Sequence, residues 1–261
     1  MQADIFVKRR RSFSLFFLLL IVLTYLSMFI TDFQLVKGFT SVAKAVEWGV
    51  TNFFPDAKAM EKLPDILSKL QETVLISVAS TTTAAIFATF FAICGSKTTK
   101  VNGLLSAISR GIATVSRNIP VAAWALILLF SFGQSSITGF FALFFASFGF
   151  LTRAFIETID EVSNSSVEAL RATGAQFFPI IFQSVIPSSL PQMISWVLFE
   201  IETNIRSATL VGILTGTGIG FSFDLYYKSS NYSEASLVVM TIVLTVFVIE
   251  YLSNLIRRVI L

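Results

Sequence analysis

The segment Glu157–Pro191 has the sequence ETIDEVSNSSVEALRATGAQFFPIIFQSVIPSSLP and forms a polar island between long apolar runs. Most residues in the range 168–172 favour helix, and either Ser165 or Ser166 is suited to cap the start of that helix. Gly174 follows, and the absence of a side chain there permits a helix stop or a sharp turn. The sequence therefore predicts a short helix and a turn, followed by a second, more apolar arm.

The second arm suits a helix packed on another surface, because its apolar residues cannot all face water: Phe177, Phe178, Ile180, Ile181 and Phe182. Pro187 and Pro191 predict the point where this arm ends and the next apolar span begins. An ordinary connecting loop with an interfacial helix is an alternative that the spacing alone leaves open.

The composition is that of a membrane protein. Of 261 residues, 54% are hydrophobic and 13% are charged, whereas a soluble domain carries about twice that charged share. The chain has no His and a single Cys, Cys94, which excludes an internal disulfide, histidine metal sites, Ser-His triads and Cys-His nucleophile pairs. The net charge of +3 is modest and gives no sign of a nucleic-acid partner. The expected fold class is an all-α polytopic helical bundle embedded in membrane lipid.

Apolar runs between basic clusters predict six membrane spans. Lys8–Arg11 precede an uncharged run over 12–31, which we expect to be a retained first span with a cytoplasmic N-terminus. The second span is expected over 73–95, before the basic residues Lys97 and Lys100. The other spans are expected over 121–130, 137–152, 192–214 and 235–256, the last followed by Arg257 and Arg258. This arrangement places both termini in the cytoplasm.

Pro120 interrupts the third apolar stretch. A helix from about Asn102 carries Arg110 and Arg117 before this proline, whose ring removes a backbone donor and clashes with the preceding turn. We expect the first half of this helix near the inner surface and the second half in the membrane, after a kink at Pro120.

The range 32–72 carries interspersed charges of both signs and is expected on the outer side of the membrane. Its FFPD motif and the later LPDILSKLQET predict one or two amphipathic helices on the outer membrane surface, with Trp48, Phe53 and Phe54 in the interface. A loop that merely connects two spans is the alternative.

The fifth span contains three charged residues in an apolar setting: Glu200, Glu202 and Arg206. Each charge at mid-bilayer costs about 2.5–3.5 kcal/mol, so a partner or a cavity must compensate. Glu202 and Arg206 are spaced i, i+4, which favours an ion pair, and Glu200 and Asn204 share a neighbouring face. These groups either pair with one another and hold helices in register, or leave Arg206 to bind an oxyanion through its planar donors.

Small residues recur after Arg206, and such residues let helices approach closely or line a narrow path. The GTGIG run at 216–220 lacks the Gly-Lys-Ser/Thr of a Walker A loop and does not follow a strand, so it is no nucleotide-binding motif. Any ATP hydrolysis must therefore come from another subunit. The candidate pathway residues are Arg117, Glu200, Glu202, Asn204, Arg206, Ser207 and Thr209.

The polar island contains an E-A-x4-G pattern with a proline thirteen residues after the glycine, formed by Glu168, Ala169, Gly174 and Pro187. This pattern resembles the EAA loop of the membrane-spanning permease subunits of bacterial ABC importers. The family prefers a third Ala where this chain has Leu170, and an apolar residue where it has Ser184. The resemblance implies two short cytoplasmic helices that dock into a groove on the ATPase subunit, with Glu168, Ala169, Arg171, Gly174 and Pro187 as the coupling residues.

Three further segments resemble the phosphonate importer permeases of this family: RNIPVAAWAL at Arg117–Leu126, FFPD followed by LPDILSKLQET, and EIETNIRSATLVG at Glu200–Gly212. The resemblance covers the chain from Phe53 onward. It implies the six-span type I importer fold and a homodimer that works with two ATPase subunits and an extracytoplasmic binding protein. The permease would couple motion by alternating access, without chemistry or a cofactor of its own.

The implied cargo is a phosphonate or a related phosphorus oxyanion, such as phosphite or phosphate, carried across a bacterial cell membrane. The expected organisation has a first region, 1–72, with the N-terminal tail, the first span and the external segment. A permease core follows over 73–261 and contains the coupling loop at about 157–190.

Two other functions remain open at this point. A permease for methionine or another small solute would share the loop and the glycine-rich tail. An ion-coupled secondary transporter or channel could use Glu200, Glu202 and Arg206 as coupling groups, although no internal repeat is evident. An intramembrane enzyme is disfavoured, because His is absent and no catalytic Ser or Asp constellation is evident.

Overall fold

The computed structural model describes the backbone of residues 2–99, 101–162 and 164–260, and this part of the chain is helical without any strand. The basic residue Lys100 of the predicted inner cluster lies outside the described residues. The helices are α1 Gln2–Ile30, α2 Leu35–Asn52, α3 Ala57–Met60, α4 Leu63–Gly95, α5 Gly103–Asn118, α6 Val121–Phe132, α7 Ser136–Val162, α8 Asn164–Ala172, α9 Phe177–Ile180, α10 Ile186–Thr215, α11 Gly218–Lys228 and α12 Tyr232–Ile260.

The chain divides into two compact units, Met1–Phe53 and Phe54–Leu261. The first unit holds α1, whose stretch Arg9–Ile30 is long and apolar enough to cross a membrane, with a mean hydropathy of 2.5. It also holds α2, an amphipathic helix with no buried residue that ends just before the FFPD motif at 53–56. The motif itself, which was expected to mark a surface helix, is not helical. The functional division expected at residue 73 falls inside α4 and stays a prediction.

Helix α7 forms the centre of the second unit and packs against α4, α5, α6 and α10. On α4, Ala84, Ala88 and Ala92 recur at every fourth position and are fully buried, so they form a smooth stripe. Large buried side chains of α7 belong to the same cluster as this stripe, among them Phe148, Leu151, Phe155 and Ile159. Small residues on one helix and large ones on the other bring the two backbones close along their length.

The break at Pro120 is sharper than the predicted kink. Helix α5 ends at Asn118, Pro120 becomes the residue before α6, and the two helix axes differ by 94°. The carbonyl of Pro120 accepts from the backbone N–H groups of Ala123 and Trp124, so the proline starts a new helix. The 12 residues of α6 reach about 18 Å, too short to cross a bilayer alone. The described residues therefore hold five candidate spans, or six if the bent pair α5 and α6 counts as one.

The second span begins ten residues earlier than predicted. Helix α4 starts at Leu63 with Pro64 in its first turn, and it runs without a break to Gly95. The segment LPDILSKLQET is therefore the first part of a long span, and the prediction of a separate surface helix there was wrong. Its charged residues Lys69 and Glu72 pair at 3.0 Å, and the Ser136 hydroxyl donates to Glu72 at 2.7 Å. These contacts place the third turn of α4 beside the start of α7.

The fifth span is also longer than predicted. A π-helical turn, Ile181–Val185, joins α9 to α10, so the helical segment runs from Phe177 to Thr215. Pro187 and Pro191 were expected to end one segment and begin another, but Pro187 lies in the first turn of α10 and Pro191 lies inside it. The π-helical turn shifts the hydrogen-bond register just before these two prolines, which lack the donors of a regular helix.

Gly216 ends α10 in the left-handed conformation, with φ +68°, which favours glycine. Helix α11 then folds back along α10, an element that the sequence did not predict. A side chain on Gly220 would overlap the Thr209 carbonyl, and the Ile219 N–H donates to the Thr73 hydroxyl at 2.9 Å. The small residues of this region serve close helix packing.

Candidate functional site

The loop between α7 and α10 has the predicted arrangement of a short helix, a glycine turn and a second short helix. Gly174 sits in the turn after α8 with φ +81°, a conformation that residues with a side chain rarely adopt. Helix α8 already begins at Asn164, so Ser165 and Ser166 lie inside it and the prediction that one of them caps the helix was wrong. Ser163, just before it, lies outside the described residues.

The inner face of this loop packs against α7. Val167, Ile180, Ile181 and Val185 are buried in one cluster with Phe155, Ile156 and Ile159 of α7. Leu170, one of the two departures from the family pattern, is partly buried against this cluster. Ser184, the other departure, is buried and donates a hydrogen bond to the Ser166 hydroxyl at 2.8 Å, which ties the second arm to α8.

Polar contacts anchor the loop to the turn between α4 and α5. Arg171 donates to the Thr98 carbonyl at 2.7 Å. Asp160, near the end of α7, accepts hydrogen bonds from the Ser96 hydroxyl and from the Thr98 N–H, the latter at 3.1 Å. Arg110 of α5 lies 3.6 Å from the same carboxylate. Sequence reasoning missed this cluster. The available signal was an Asp near the end of an apolar span, together with the hydroxyl residues Ser96 and Thr98 beside basic residues at the end of another span.

The outer face of the loop carries the predicted coupling residues and an apolar patch. The five predicted coupling residues are all exposed: Glu168, Ala169, Arg171, Gly174 and Pro187. Arg171 also donates a hydrogen bond to the Thr98 carbonyl. The side chains of Phe177, Phe178 and Phe182 are 39%, 70% and 64% exposed. An apolar patch rimmed by polar residues is typical of a protein contact surface.

Asn204 lies in the interior and joins three helices. Its side-chain amide donates to Thr81 of α4 at 2.7 Å and to Ser147 of α7 at 2.6 Å, and the residue is 3% exposed. Glu200, one turn earlier, is also buried, with Ser147 nearby. Glu200 and Asn204 share a face of α10 that lies toward Ser147, and sequence reasoning missed both Ser147 and Thr81. Buried polar groups satisfied in this way fix the packing of helices.

Glu202 and Arg206 form the ion pair that their spacing predicted, with 2.8 Å between Arg206 Nη1 and Glu202 Oε1. The side chain of Glu202 is 11% exposed and that of Arg206 is 47% exposed. The carboxylate of the pair is therefore largely buried, and the guanidinium group lies at the surface. Ser207 is half-buried, and the Thr209 hydroxyl donates within the helix to the Ile205 carbonyl at 3.5 Å.

Arg117 lies away from the polar residues of α10, at the end of α5. It lines a cavity of about 340 Å³ with Thr114, Asn118, Arg153 and Glu157, the last two from α7. A second cavity of about 500 Å³ shares Arg153 and Glu157 and adds charged residues nearer the end of α7: Lys97, Arg110, Asp160 and Glu161. The structure thus divides the predicted pathway residues among three places, namely an interior polar contact, a surface ion pair and a charged groove.

Among the residues that the structure describes, no group of three or more His, Cys, Asp or Glu side chains is placed to hold a metal ion.

The sequence matches one family model, the inner membrane component of binding-protein-dependent transport systems, over residues 84–261. It is 28% identical over 190 residues to a phosphate-import permease of Mycolicibacterium smegmatis, a match that covers 73% of this chain and 36% of that protein. It is 32% identical over 117 residues to a putative cryptic phosphonate transport permease of Escherichia coli, covering 45% of this chain and 96% of that protein.

The structure is similar to that of an amino acid ABC transporter with histidines, with a TM-score of 0.66 and 17% sequence identity. The match covers 78% of this chain and 98% of the other. At this level of identity the likeness establishes the fold alone, an all-α helical bundle, as the sequence predicted.

Proposed function

This chain belongs to the family of inner membrane components of binding-protein-dependent transport systems, and we propose that it carries a phosphorus oxyanion into a bacterial cell. It is the permease subunit of an ABC importer and performs no chemistry. ATP hydrolysis belongs to a partner ATPase, and an extracytoplasmic binding protein delivers the cargo. The observation that carries the cargo assignment is the similarity to permeases named for phosphate and phosphonate transport.

The loop between α7 and α10 is the docking surface for the ATPase. Its outer face exposes Phe178 and Phe182 beside the polar residues of α8, which suits a protein partner and not water. Its inner face is buried on α7, and Arg171 ties it to the turn after α4. A docked surface that is fixed to several helices can move them together.

Helix α10 connects the proposed docking surface directly to polar residues within the membrane-spanning part of the chain. The helical segment from Phe177 to Thr215 begins in the docking surface and contains the polar residues 200–209. Movement of the loop by the ATPase therefore moves Asn204 and its partners on α4 and α7. This is the coupling that alternating access requires.

A second copy of the permease completes the transport path. Phe199, Arg206 and Leu210 are exposed on α10, with a guanidinium group in an apolar surrounding. Hydrocarbon around this cation would be costly, so a second copy with a polar path between the two copies suits this face better than lipid.

We infer that the loops after α4 and α7 lie in the cytoplasm, and that both termini share this side because basic residues, Lys8–Arg11 and Arg257–Arg258, flank the first and last spans. The contact of Glu72 with Ser136 joins the first parts of α4 and α7, and that of Ser96 with Asp160 joins their far ends. The two helices therefore run in the same direction, and the loops after them share one side of the membrane. Basic residues near both far ends, Lys97 and Arg171 among them, favour the cytoplasm for that side.

Uptake by a strain that depends on this permease tests the cargo. Methylphosphonate, phosphite, phosphate and methionine would be supplied separately, each in labelled form, with and without the permease gene. Permease-dependent uptake of at least one phosphorus oxyanion, with little of methionine, is the expected result. Uptake of methionine alone would establish the alternative cargo, and uptake without any co-purifying ATPase subunit would favour a secondary transporter.

A further inference from the structure

Two arginines from different helices meet at the cavity between α5 and α7. A side chain on Gly149 of α7 would overlap the backbone nitrogen of Arg117, so the absence of one lets the end of α5 lie directly on α7. Arg153 follows Gly149 by four residues and therefore lies on the same face of α7. Close helix contact thus places both guanidinium groups in the lining of one cavity of about 340 Å³.

The charges around this cavity are not balanced. Glu157 pairs with Arg153, with 2.6 Å between the carboxylate and Arg153 Nε. Arg117 makes no hydrogen bond or ion pair within the part of the chain that the structure describes. The side chains of Thr114 and Asn118 donate to backbone carbonyls of their own helix, each at 2.7 Å. The donors left for a ligand are therefore the whole Arg117 guanidinium, the remaining N–H groups of Arg153 and the second amide N–H of Asn118.

The position of the cavity along α7 places it near the inner end of the predicted span. Gly149 lies 13 residues after the start of α7 at Ser136, or about 20 Å along the axis, and Arg153 directly follows the predicted span 137–152. Arg117 and Arg153 are both exposed, so their guanidinium groups are open to a ligand. The neighbouring 500 Å³ cavity continues towards the loop end of α7 and is lined by Lys97 and Arg110.

We propose that Arg117 and Arg153 form a binding site for a small tetrahedral oxyanion on its way to the cytoplasm, an inference that rests on the proposed function. Two guanidinium groups can hold the oxygens of a phosphonate, phosphite or phosphate ion through bidentate hydrogen bonds. A cavity of about 340 Å³ is within the range of small-molecule sites. Glu157 and the acidic residues further along the groove repel an anion and so weaken its binding. Weak binding allows a transported ion to leave the site.

The test uses the full transporter with its ATPase and binding protein in lipid vesicles. Arg117→Gln and Arg153→Gln are each expected to lower uptake of methylphosphonate about tenfold, the loss that follows from removing hydrogen bonds to a charged group. Arg117→Lys keeps the charge but loses the planar fork, so an intermediate rate is expected. Arg258→Gln at the end of α12 removes an equal charge away from the groove and should leave uptake unchanged.

A thiol at position 117 separates a binding role from a structural one. In an Arg117→Cys variant with Cys94→Ser, a methanethiosulfonate reagent that adds an ammonium group should restore part of the uptake, and one that adds a sulfonate should not. Methylphosphonate should also slow the reaction of this thiol. A loss of uptake that the ammonium reagent does not relieve, or labelling that methylphosphonate leaves unchanged, counts against the site.

Two results distinguish failure of the site from failure of the proposed function. Equal uptake of methylphosphonate by the wild-type protein and Arg117→Gln would overturn the site alone. A wild-type complex that imports methionine and no phosphorus oxyanion would overturn the proposed function and the site with it.

Discussion

The guanidinium group of Arg171 donates a hydrogen bond to the carbonyl oxygen of Thr98, 2.7 Å away and 73 positions earlier in the chain. This contact joins the loop after α7 to the turn between α4 and α5. Asp160 accepts two hydrogen bonds from the same turn through Thr98, so the loop, the turn and the end of α7 form one anchored cluster. A force applied to the loop therefore reaches α4, α5 and α7 as well as α10.

Gly174→Val is expected to abolish transport while the protein still inserts in the membrane. The glycine has φ +81°, and a β-branched residue cannot take this conformation without strain of about 1–3 kcal/mol, so the turn between α8 and α9 would change. Uptake and membrane abundance would be measured together. Gly111→Val is the matched control, since Gly111 lies in a helix with open space around its Cα. Normal uptake by Gly174→Val would contradict the assigned role of the turn.

A cysteine at Phe178 is expected to crosslink to the ATPase. This side chain is 70% exposed on the outer face of the loop, where the ATPase is proposed to dock. The experiment uses Phe178→Cys in a Cys94→Ser background, with cysteines placed on the ATPase surface and a short crosslinker. Phe130→Cys on α6 is the control, because Phe130 is 92% exposed but lies on a different helix. Crosslinks from Phe130→Cys and none from Phe178→Cys would argue against docking at the loop.

The ion pair of Glu202 and Arg206 allows a double-mutant test of the Arg206 role. If Arg206 binds the anion through its planar donors, Arg206→Lys should weaken transport although the charge is kept. If it only neutralises Glu202, the double variant Glu202→Gln with Arg206→Gln should recover what either single change loses, since neither charge is left unpaired. Full transport by the double variant would remove Arg206 from the substrate contacts.

Thiol labelling from outside the cell tests the topology. With Cys94→Ser as background, Lys58→Cys and Asn231→Cys should react with an impermeant reagent, and Thr173→Cys should react only after the cells are opened. The three positions are exposed in the structure, so accessibility within the fold does not limit the reaction. Labelling of Thr173→Cys in sealed cells would reverse the proposed sidedness.

Local interactions could be predicted from the sequence, because their partners are close in the chain. The turn at Gly174 depends on one residue's conformation, and the pair of Glu202 and Arg206 depends on helical spacing. By contrast, Asn204 finds its partners Thr81 and Ser147 at separations of 123 and 57 positions. Hydroxyl residues on apolar helices give no pattern that identifies such partners.

Helix ends were harder to predict than the helices themselves. The charges near Lys69 and Glu72 indicated a surface segment, but a long helix can extend beyond the apolar layer and carry them in its first turns. Pro120 indicated a change of direction, whereas the 94° angle depends on how α5 and α6 each pack on α7. The glycine-rich tail gave no periodic signal for α11, which is held by its contacts with α10 and α4.

ATP hydrolysis by the reconstituted complex tests whether the loop between α7 and α10 couples the ATPase to import of a phosphorus oxyanion. The permease, its ATPase and its binding protein would be placed in lipid vesicles, and hydrolysis would be measured with binding protein loaded with methylphosphonate, phosphite, phosphate or methionine. We expect at least one phosphorus oxyanion to stimulate hydrolysis and Gly174→Val to remove this stimulation, while methionine has little effect. Stimulation by methionine alone, or an equal response from Gly174→Val, would contradict this expectation.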